Sequence, residues 1–504
     1  MRRAALAFLL LTSLAFADTC PSCRKDIEKA WRFCPGCGKT LPDVKKAVDD
    51  AAVEAERRKR DLLTALRALR EACDRAGDAE RAKRVQEQIE KLEGTSLTAE
   101  AVPPAAGAEA YAGKAAGGYK ARLEHRAELA KRAGGTAESE AAVDAGLRWL
   151  ARHQGVAGGW ASAHFEGRCA GGRCGGAGYD EYDAGVTGLA VLAFLGAGMT
   201  PRSETSWKDE VTGRTVVAGE VVRRGIEWLV ASLDAEGCAG GRHGSKYMYN
   251  HAVATLALAE AYGTTGAEAL RNPAQNAVSF LVQAQNPGRG WRYSRNCGDN
   301  DTSVTSWAVA ALHAAELAGL EFALRKTYDG AKAHLLQATD EAFFKVGYTT
   351  KGTGKVVVQG KNEDWDNHET LTGAAMTCRI RIDNNRSDPA LEGGAKLLFS
   401  DPPQWNGKKI DFYYWFHGTE ALFTFDGADG KYWKPWSDSL RRALVPSQAT
   451  AADGCESGSW NPDVDRWGFE GGRVCTTALG VLALETGYRD ARVYLEPKEK
   501  KKGK

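Results

Sequence analysis

Two kinds of helical segment alternate six times between residues 139 and 490, and that pattern predicts an all-α protein built as an α/α toroid of six inner and six outer helices. One kind is punctuated by glycine and otherwise made of small and apolar residues. It reads GVTGLAVLAFLGAG from Gly185, YNHAVATLALAEAYG from Tyr249, TSVTSWAVAALHAAELAG from Thr302, HETLTGAAMTCRI from His368, YYWFHGTEALFTF from Tyr413 and VCTTALGVLALETG from Val474. A helix that is apolar all round has to be buried, so these are the inner ring. The other kind, such as VVRRGIEWLVASL and YDGAKAHLLQA, is amphipathic and precedes each inner segment. Aligning the inner segments at Thr187, Ala254, Thr305, Thr372, Gly418 and Thr477 spaces successive repeats by 46 to 67 residues. Of 14 tryptophans only Trp31 precedes Trp149, so the aromatic mass lies in the same region.

The rest of the 504-residue chain divides into short segments. Residues 1–17 read as a signal peptide: Met1, Arg2 and Arg3 are the basic start, an apolar run to Leu14 follows, and Ala15-Phe16-Ala17 fits a small-x-small cleavage site. Export to a periplasm or cell envelope follows, with no membrane-spanning segment left after cleavage. Residues 18–41 carry Cys20-Pro-Ser-Cys23 and Cys34-Pro-Gly-Cys37. Two CxxC turns can close a tetrahedral four-thiolate zinc site, a structural ribbon; two disulfides are the alternative in an oxidising compartment. Residues 42–94 carry Leu62, Leu66, Leu69 and Cys73, then Val85, Ile89 and Leu92, at helical spacing. They read as a helical hairpin or coiled coil. Residues 95–138 are an Ala/Gly/Pro-rich linker and a lead-in helix, and 491–504 a basic tail. A net charge of +2 gives no electrostatic reason to expect a nucleic-acid partner.

Gln154 through Gly159-Trp160, Gln285 through Gly290-Trp291 and, with a longer insertion, Gln448 through Ser459-Trp460 resemble the Gln-Trp repeats of the squalene-hopene cyclase and prenyltransferase superfamily. The resemblance covers about residues 139 to 490. In GDNDTSVTSWAVAAL and GGRVCTTALGVLALETGYR it is closest to the exported squalene-cyclase-like repeat proteins of planctomycete-type bacteria. It implies the toroid and a central cavity for an apolar isoprenoid or lipid. Squalene-hopene cyclases protonate an alkene with the central Asp of a DxDDT motif. The matching stretch here runs from Gly298 through Asp299, Asn300 and Asp301 to Thr302. On that register Asn300 stands in the donor's place and Gly298 in the first acid's, which leaves Asp299 as the substitute. Prenyltransferases instead hold a catalytic zinc; Asp301 matches its Asp, but Ser303 stands where the Cys belongs, so no catalytic zinc is expected.

Other polar residues cluster at inner-helix starts. Asp366 and His368 open the fourth inner helix, and with Asp301 they could form an acid/base set; helix capping explains each of them singly. Cys169 with Cys174, and Cys455 with Cys475, flank glycine-rich loops and read as disulfide pairs. Three function classes remain: an enzyme or binder of an apolar ligand, a non-catalytic module docking a protein through the ribbon or coiled coil, and a carbohydrate-active toroid using carboxylates such as Asp183 and Asp366. If the N-terminal cysteines hold zinc, Cys34→Ser should release about one zinc per chain without unfolding the toroid. Metal analysis with circular dichroism checks this, and disulfides within both CxxC pairs would refute it.

Overall fold

A computed structural model describes residues 107–170, 174–242, 244 and 246–490, together with Arg70, Ala82, Lys83, Val85 and Gln86. The segments read as a signal peptide, a CxxC module and a basic tail lie outside the described residues, as does most of the segment read as a hairpin. The chain forms two compact units, residues 1–105 and 106–504. In the first, positions 70, 82, 83, 85 and 86 are helical, and Arg70 Nη1 donates to Gln86 Oε1 at 2.7 Å.

The second unit is the toroid. A lead-in helix α1 (Gly117–Arg132) is followed by six outer–inner pairs: α2 (Ala137–Arg152) and α3 (Asp183–Gly196), α4 (Ala218–Ala231) and α5 (Tyr247–Thr265), α6 (Glu268–Ala284) and α7 (Thr302–Ala318), α8 (Leu324–Ala338) and α9 (Thr370–Asp383), α10 (Pro389–Phe399) and α11 (Phe412–Asp426), α12 (Trp433–Leu444) and α13 (Gly468–Arg489). Each inner helix packs on the next, and α13 returns to α3, so the inner ring closes. Close approach depends on small residues: a Cβ on Gly188 would meet the Val253 backbone at 3.1 Å. An antiparallel pair, β1 (Ser206–Lys208) with β2 (Thr215–Val217), interrupts the all-α plan between α3 and α4. Asp209 closes its turn by accepting from Thr212 N at 2.7 Å, and it pairs with the buried Arg152 at 2.9 Å.

One wiring scheme recurs at the three Gln-Trp segments. Gln154 Nε2 donates to Gly158 O in its own loop at 2.7 Å and to Val221 O near the start of the next outer helix at 2.8 Å. Gln285 does the same to Arg289 O and Thr327 O, at 2.7 and 2.9 Å. Gln448 does so to Gly458 O and Ala142 O, both at 2.8 Å, and because Ala142 lies in α2 this third bond ties the last repeat to the first. The indoles of Trp160, Trp291 and Trp460 donate to Leu150 O, Leu281 O and Leu444 O at 2.7 to 2.9 Å, covering the free carbonyl ends of α2, α6 and α12. Their backbone N–H groups donate to Thr187, Thr305 and Thr477 on inner helices. The threonines that align the sequence repeats therefore carry a specific bond.

The two ends of the ring differ in chemistry. At the C-terminal ends of the inner helices, Glu260 accepts from Arg122 at 2.7 Å and from Arg489 at 2.5 Å, while Glu420 accepts from Arg381 at 2.5 Å. All five groups are nearly or wholly buried and plug that end. Arg122 belongs to α1, so the lead-in helix is part of the plug. The chain packs on the toroid even earlier: Tyr111 is buried and its hydroxyl donates to Glu227 at 3.2 Å, and Ala116 N donates to Gly263 O at 2.8 Å. Among the described residues no helix is long and apolar enough to cross a membrane. Gln448→Ala strands two carbonyl partners at the ring seam and should cost about 1–3 kcal/mol. Urea unfolding measures it; a loss below about 0.5 kcal/mol would show that the seam does not need this amide.

Candidate functional site

At the N-terminal ends of the inner helices the ring opens into a cavity of about 300 Å³. All six inner helices line it, through residues such as Leu189, Val253, Trp307, Leu371, Tyr413 and Leu479. The 345–358 loop adds Val346, Tyr348 and Val356. Trp307 anchors the wall: it stacks on Phe416 at 5.5 Å, and its indole donates to Tyr413 Oη at 3.0 Å, which also bonds Ser303 Oγ at 2.7 Å. Two ion pairs sit at the rim. Glu470 pairs with Lys246 at 3.0 Å and accepts from the Tyr182 hydroxyl, and Glu369 pairs with Lys345 at 2.5 Å.

The residues of the Gly298–Thr302 stretch are dispersed rather than converging on the cavity. Asp299 is exposed, with its carboxylate 3.6 Å from Arg292. Asn300 is turned into its own loop, where it accepts from Asn286 Nδ2 at 3.1 Å and donates to Gly298 O at 3.4 Å. Asp301 is fully buried and caps α7: Oδ1 accepts from Val304 N at 2.7 Å, while Oδ2 has no hydrogen-bond partner and lies 3.8 Å from Arg292 Nε. Burial pushes its pKa up to about 7 despite the opposing Val304 N–H and Arg292 charge. Behind it, the Tyr293 and Tyr348 hydroxyls share a 2.6 Å bond. Asp465, on the cavity wall, is pushed to about 8 by burial and by neighbouring Asp411, and both its oxygens accept backbone N–H groups, from Phe412 and Trp467.

His368 is placed differently. It lines the cavity, stacks flat on Tyr414 at 4.6 Å and bonds Asp401 Oδ2 through Nδ1 at 2.6 Å. The Asp401 carboxylate lies below its ordinary pKa, since the His368 bond and the Lys409 charge outweigh burial. His368 Nε2 is buried with no hydrogen-bond partner. A histidine oriented by a carboxylate, with its outer nitrogen unspent, is the arrangement that general acid–base work requires. Asp366, two residues earlier, is exposed and outside the cavity wall. His251 and His417 are core residues that burial pushes down to about 3.

The cysteine pairing read from sequence is corrected here. Cys169, Cys174, Cys455 and Cys475 are all free thiols, and Cys475 lies alone on the cavity wall. Cys169, Cys174 and Cys455 instead converge on His153, with the four ligand atoms within 4.8 Å of one another, a set that could hold a metal ion. Nothing in the spacing signals this, because His153 and Cys455 lie 302 residues apart.

Residues 212–355, from the turn before β2 to the loop after α8, match the family model of the squalene-hopene cyclase C-terminal domain. No curated protein matches the chain. Among solved structures, the type II terpene cyclase MstE from Scytonema is 13% identical over 70% of this chain and 98% of its own, with a TM-score of 0.43. An inactive variant of an alpha-1,6-mannanase, GH76A of Salegentibacter, in complex with alpha-1,6-mannotriose, is 12% identical over 70% of this chain and 99% of its own, also at 0.43. A protein from Actinoplanes is 16% identical over 69% and 99%, at 0.39.

The displaced titration of Asp301 sets a pH signature. Its folded pKa of about 7 stands above the ordinary 3.8, so the folded chain holds a proton that the unfolded chain has lost. The stability this contributes is fully present below the unfolded value and is lost as pH rises through about 7. Asp301→Asn removes the titration. The variant should gain on wild type steadily from about pH 4 to about pH 7 and run parallel above, in denaturant melts across that range. A pH-independent difference would place the Asp301 pKa at its ordinary value.

Proposed function

We propose that the toroid binds an apolar isoprenoid or lipid in its central cavity and leaves it uncyclised. The observation that carries this reading is the wall itself: every inner helix contributes aliphatic or aromatic faces, and apart from the adjacent Asp465 and Arg466 the ion-paired residues lie at the rim and the far plug. Burial of apolar ligand surface supplies affinity at roughly 25 cal/mol per Å², with no acid required. Rim pairs such as Lys246–Glu470 and Lys345–Glu369 suit a polar head group. Proton-initiated cyclisation needs a strong acid aimed into the cavity. Asn300 is an amide bonded to its loop, Asp299 faces solvent, and Asp301, which is outside the cavity wall, caps its helix through Oδ1 and turns Oδ2 toward Arg292. His368, oriented by Asp401, is the candidate for proton transfer to the head group of a bound ligand, a task suited to histidine and not to alkene protonation. A carbohydrate reading has less support: Asp183 accepts from Ser162 N, and neither it nor Asp366 lines the cavity.

The proposal extends to the segments outside the described residues. Cleavage before Asp18, export to the periplasm or envelope, a structural zinc at Cys20, Cys23, Cys34 and Cys37, and a protein partner docked through the ribbon or coiled coil together describe an exported lipid-handling module.

Delipidated protein incubated with squalene or a prenyl alcohol should retain the compound, and extraction with mass spectrometry should return it unaltered. Val253→Trp places an indole in the cavity and should lower retention by about tenfold or more, with the helical signal preserved. Cyclised product from wild type, or retention indifferent to Val253→Trp, would defeat the proposal.

A further inference from the structure

The His153 cluster lies outside the cavity and is used by nothing described so far. Its four members come from three separate segments: His153 follows the last turn of α2, Cys169 and Cys174 stand in the loop before α3, and Cys455 lies in the short Ala451–Glu456 turn before α13. His153 Nε2 is 3.6 Å from Cys169 Sγ, 3.5 Å from Cys174 Sγ and 3.5 Å from Cys455 Sγ. In a tetrahedral zinc site, zinc–sulfur bonds of about 2.3 Å and zinc–nitrogen bonds of about 2.0–2.1 Å put nitrogen and sulfur about 3.5–3.6 Å apart. The three distances match the three nitrogen–sulfur edges of such a tetrahedron, and the sulfurs lie within 4.8 Å of one another.

The surroundings orient the ligands. His153 Nδ1 lies 2.9 Å from Trp149 O. A carbonyl can only accept, so Nδ1 carries the proton and Nε2 presents its lone pair to the sulfurs, the outer bond that metal-ligating histidines make. The ring is held on Trp149 at 4.2 Å and edge-on to Phe165 at 5.8 Å. Backbone N–H groups point at two sulfurs: Ala170 N lies 3.3 Å from Cys455 Sγ, and Cys174 N lies 3.3 Å from Cys169 Sγ. These donors suit thiolates. His153, Cys174 and Cys455 are buried, and only Cys169 is partly exposed.

We propose that His153, Cys169, Cys174 and Cys455 bind a zinc ion that clasps the toroid shut where its first and last repeats meet. Three sulfurs and one nitrogen fill a tetrahedron and leave no open position, so the site is structural. Its position gives the ion its task. Gln448 reaches Ala142 O across the same seam, Arg152 donates to Cys455 O at 3.0 Å, and Arg473 donates to Gly175 O at 2.7 Å. All of these are reversible hydrogen bonds between segments about 300 residues apart in sequence. A four-ligand ion ties the same segments together at one point, and binding it releases the thiol protons, so its hold strengthens with pH. Coordination also keeps the three thiols from pairing as disulfides.

The test uses the full chain carrying Cys20→Ser, Cys23→Ser, Cys34→Ser and Cys37→Ser, so that the N-terminal cysteines contribute no metal. Purified without chelator, it should hold about one zinc per chain by elemental analysis. Cys455→Ser or His153→Ala in that background should lower zinc content by about tenfold or more. A thiol-blocking mercurial should release the ion to an indicator dye from the otherwise unaltered chain, which reads the site even if those variants misfold. Cobalt loading should produce tetrahedral visible bands and a sulfur-to-metal charge-transfer band that weakens in Cys169→Ser. Metal-free protein, absence of release by the mercurial, or a mass lower by one pair of hydrogens with Cys169, Cys174 or Cys455 in a disulfide would overturn the proposal.

Discussion

Two hydrogen bonds from a single glutamine amide settle where an outer helix stands relative to the next. The amide has two N–H donors, and at Gln154, Gln285 and Gln448 one is spent on the residue's own turn and the other on a carbonyl of the following outer helix. The paired tryptophan then does the same radially, its indole on an outer-helix carbonyl and its backbone N–H on an inner-helix threonine. At three of the six helix pairs, registration around the ring and between the rings is thereby carried by one short motif. The alanine- and glycine-rich inner helices supply close packing but little polar specificity, and that specificity comes from the loops.

A ring adds a constraint that an open array of helix pairs lacks, because the last repeat has to meet the first. The bond from Gln448 to α2, the reach of Arg152 and Arg473 across the seam, and the His153 cluster all fall at that junction. Closure then leaves a central space with two unlike ends. Buried arginine–glutamate pairs plug the C-terminal end, where breaking a pair would strand a charge. The N-terminal end stays open over an apolar wall, so the ring axis runs from a wet rim through an apolar chamber to an ionic floor.

At the rim, polar residues divide by what their side chains already satisfy. Asp301 and Asp411 accept helix N–H groups through Oδ1, which is capping, and each turns Oδ2 toward an arginine, Arg292 at 3.8 Å and Arg466 at 3.6 Å. His368 differs because Asp401 occupies only its inner nitrogen. The same distinction separates the histidines of the core: His251 accepts Ala239 N through Nδ1, whereas His153 spends its proton on a carbonyl and turns a lone pair toward three sulfurs.

The toroid was legible in the sequence because burial follows local composition. A segment such as GVTGLAVLAFLGAG has no polar face to offer water, and six of them alternating with amphipathic segments admit few other arrangements. The Gln-Trp motifs were legible as a recurring pattern of residue types, although among their partners only Gly158 and Arg289 lie within a few residues. His368 could be named as the start of an inner helix, but its partner Asp401 is 33 residues away beyond α10 and gives no local signal. Asp299, Asp301 and Asp366 show the converse: proximity in sequence or similarity of position suggested a shared site, and backbone direction sent Asp299 and Asp366 to solvent and Asp301 into a cap. The cysteine cluster is the clearest case. Short spacing pairs Cys169 with Cys174 and Cys455 with Cys475, yet ring closure brings Cys455 to the first repeat and leaves Cys475 on an inner helix. Composition and period determine which surfaces must be buried, a local matter; which distant ligands meet is decided only when the ring closes, because closure sets distances that no stretch of chain encodes by itself.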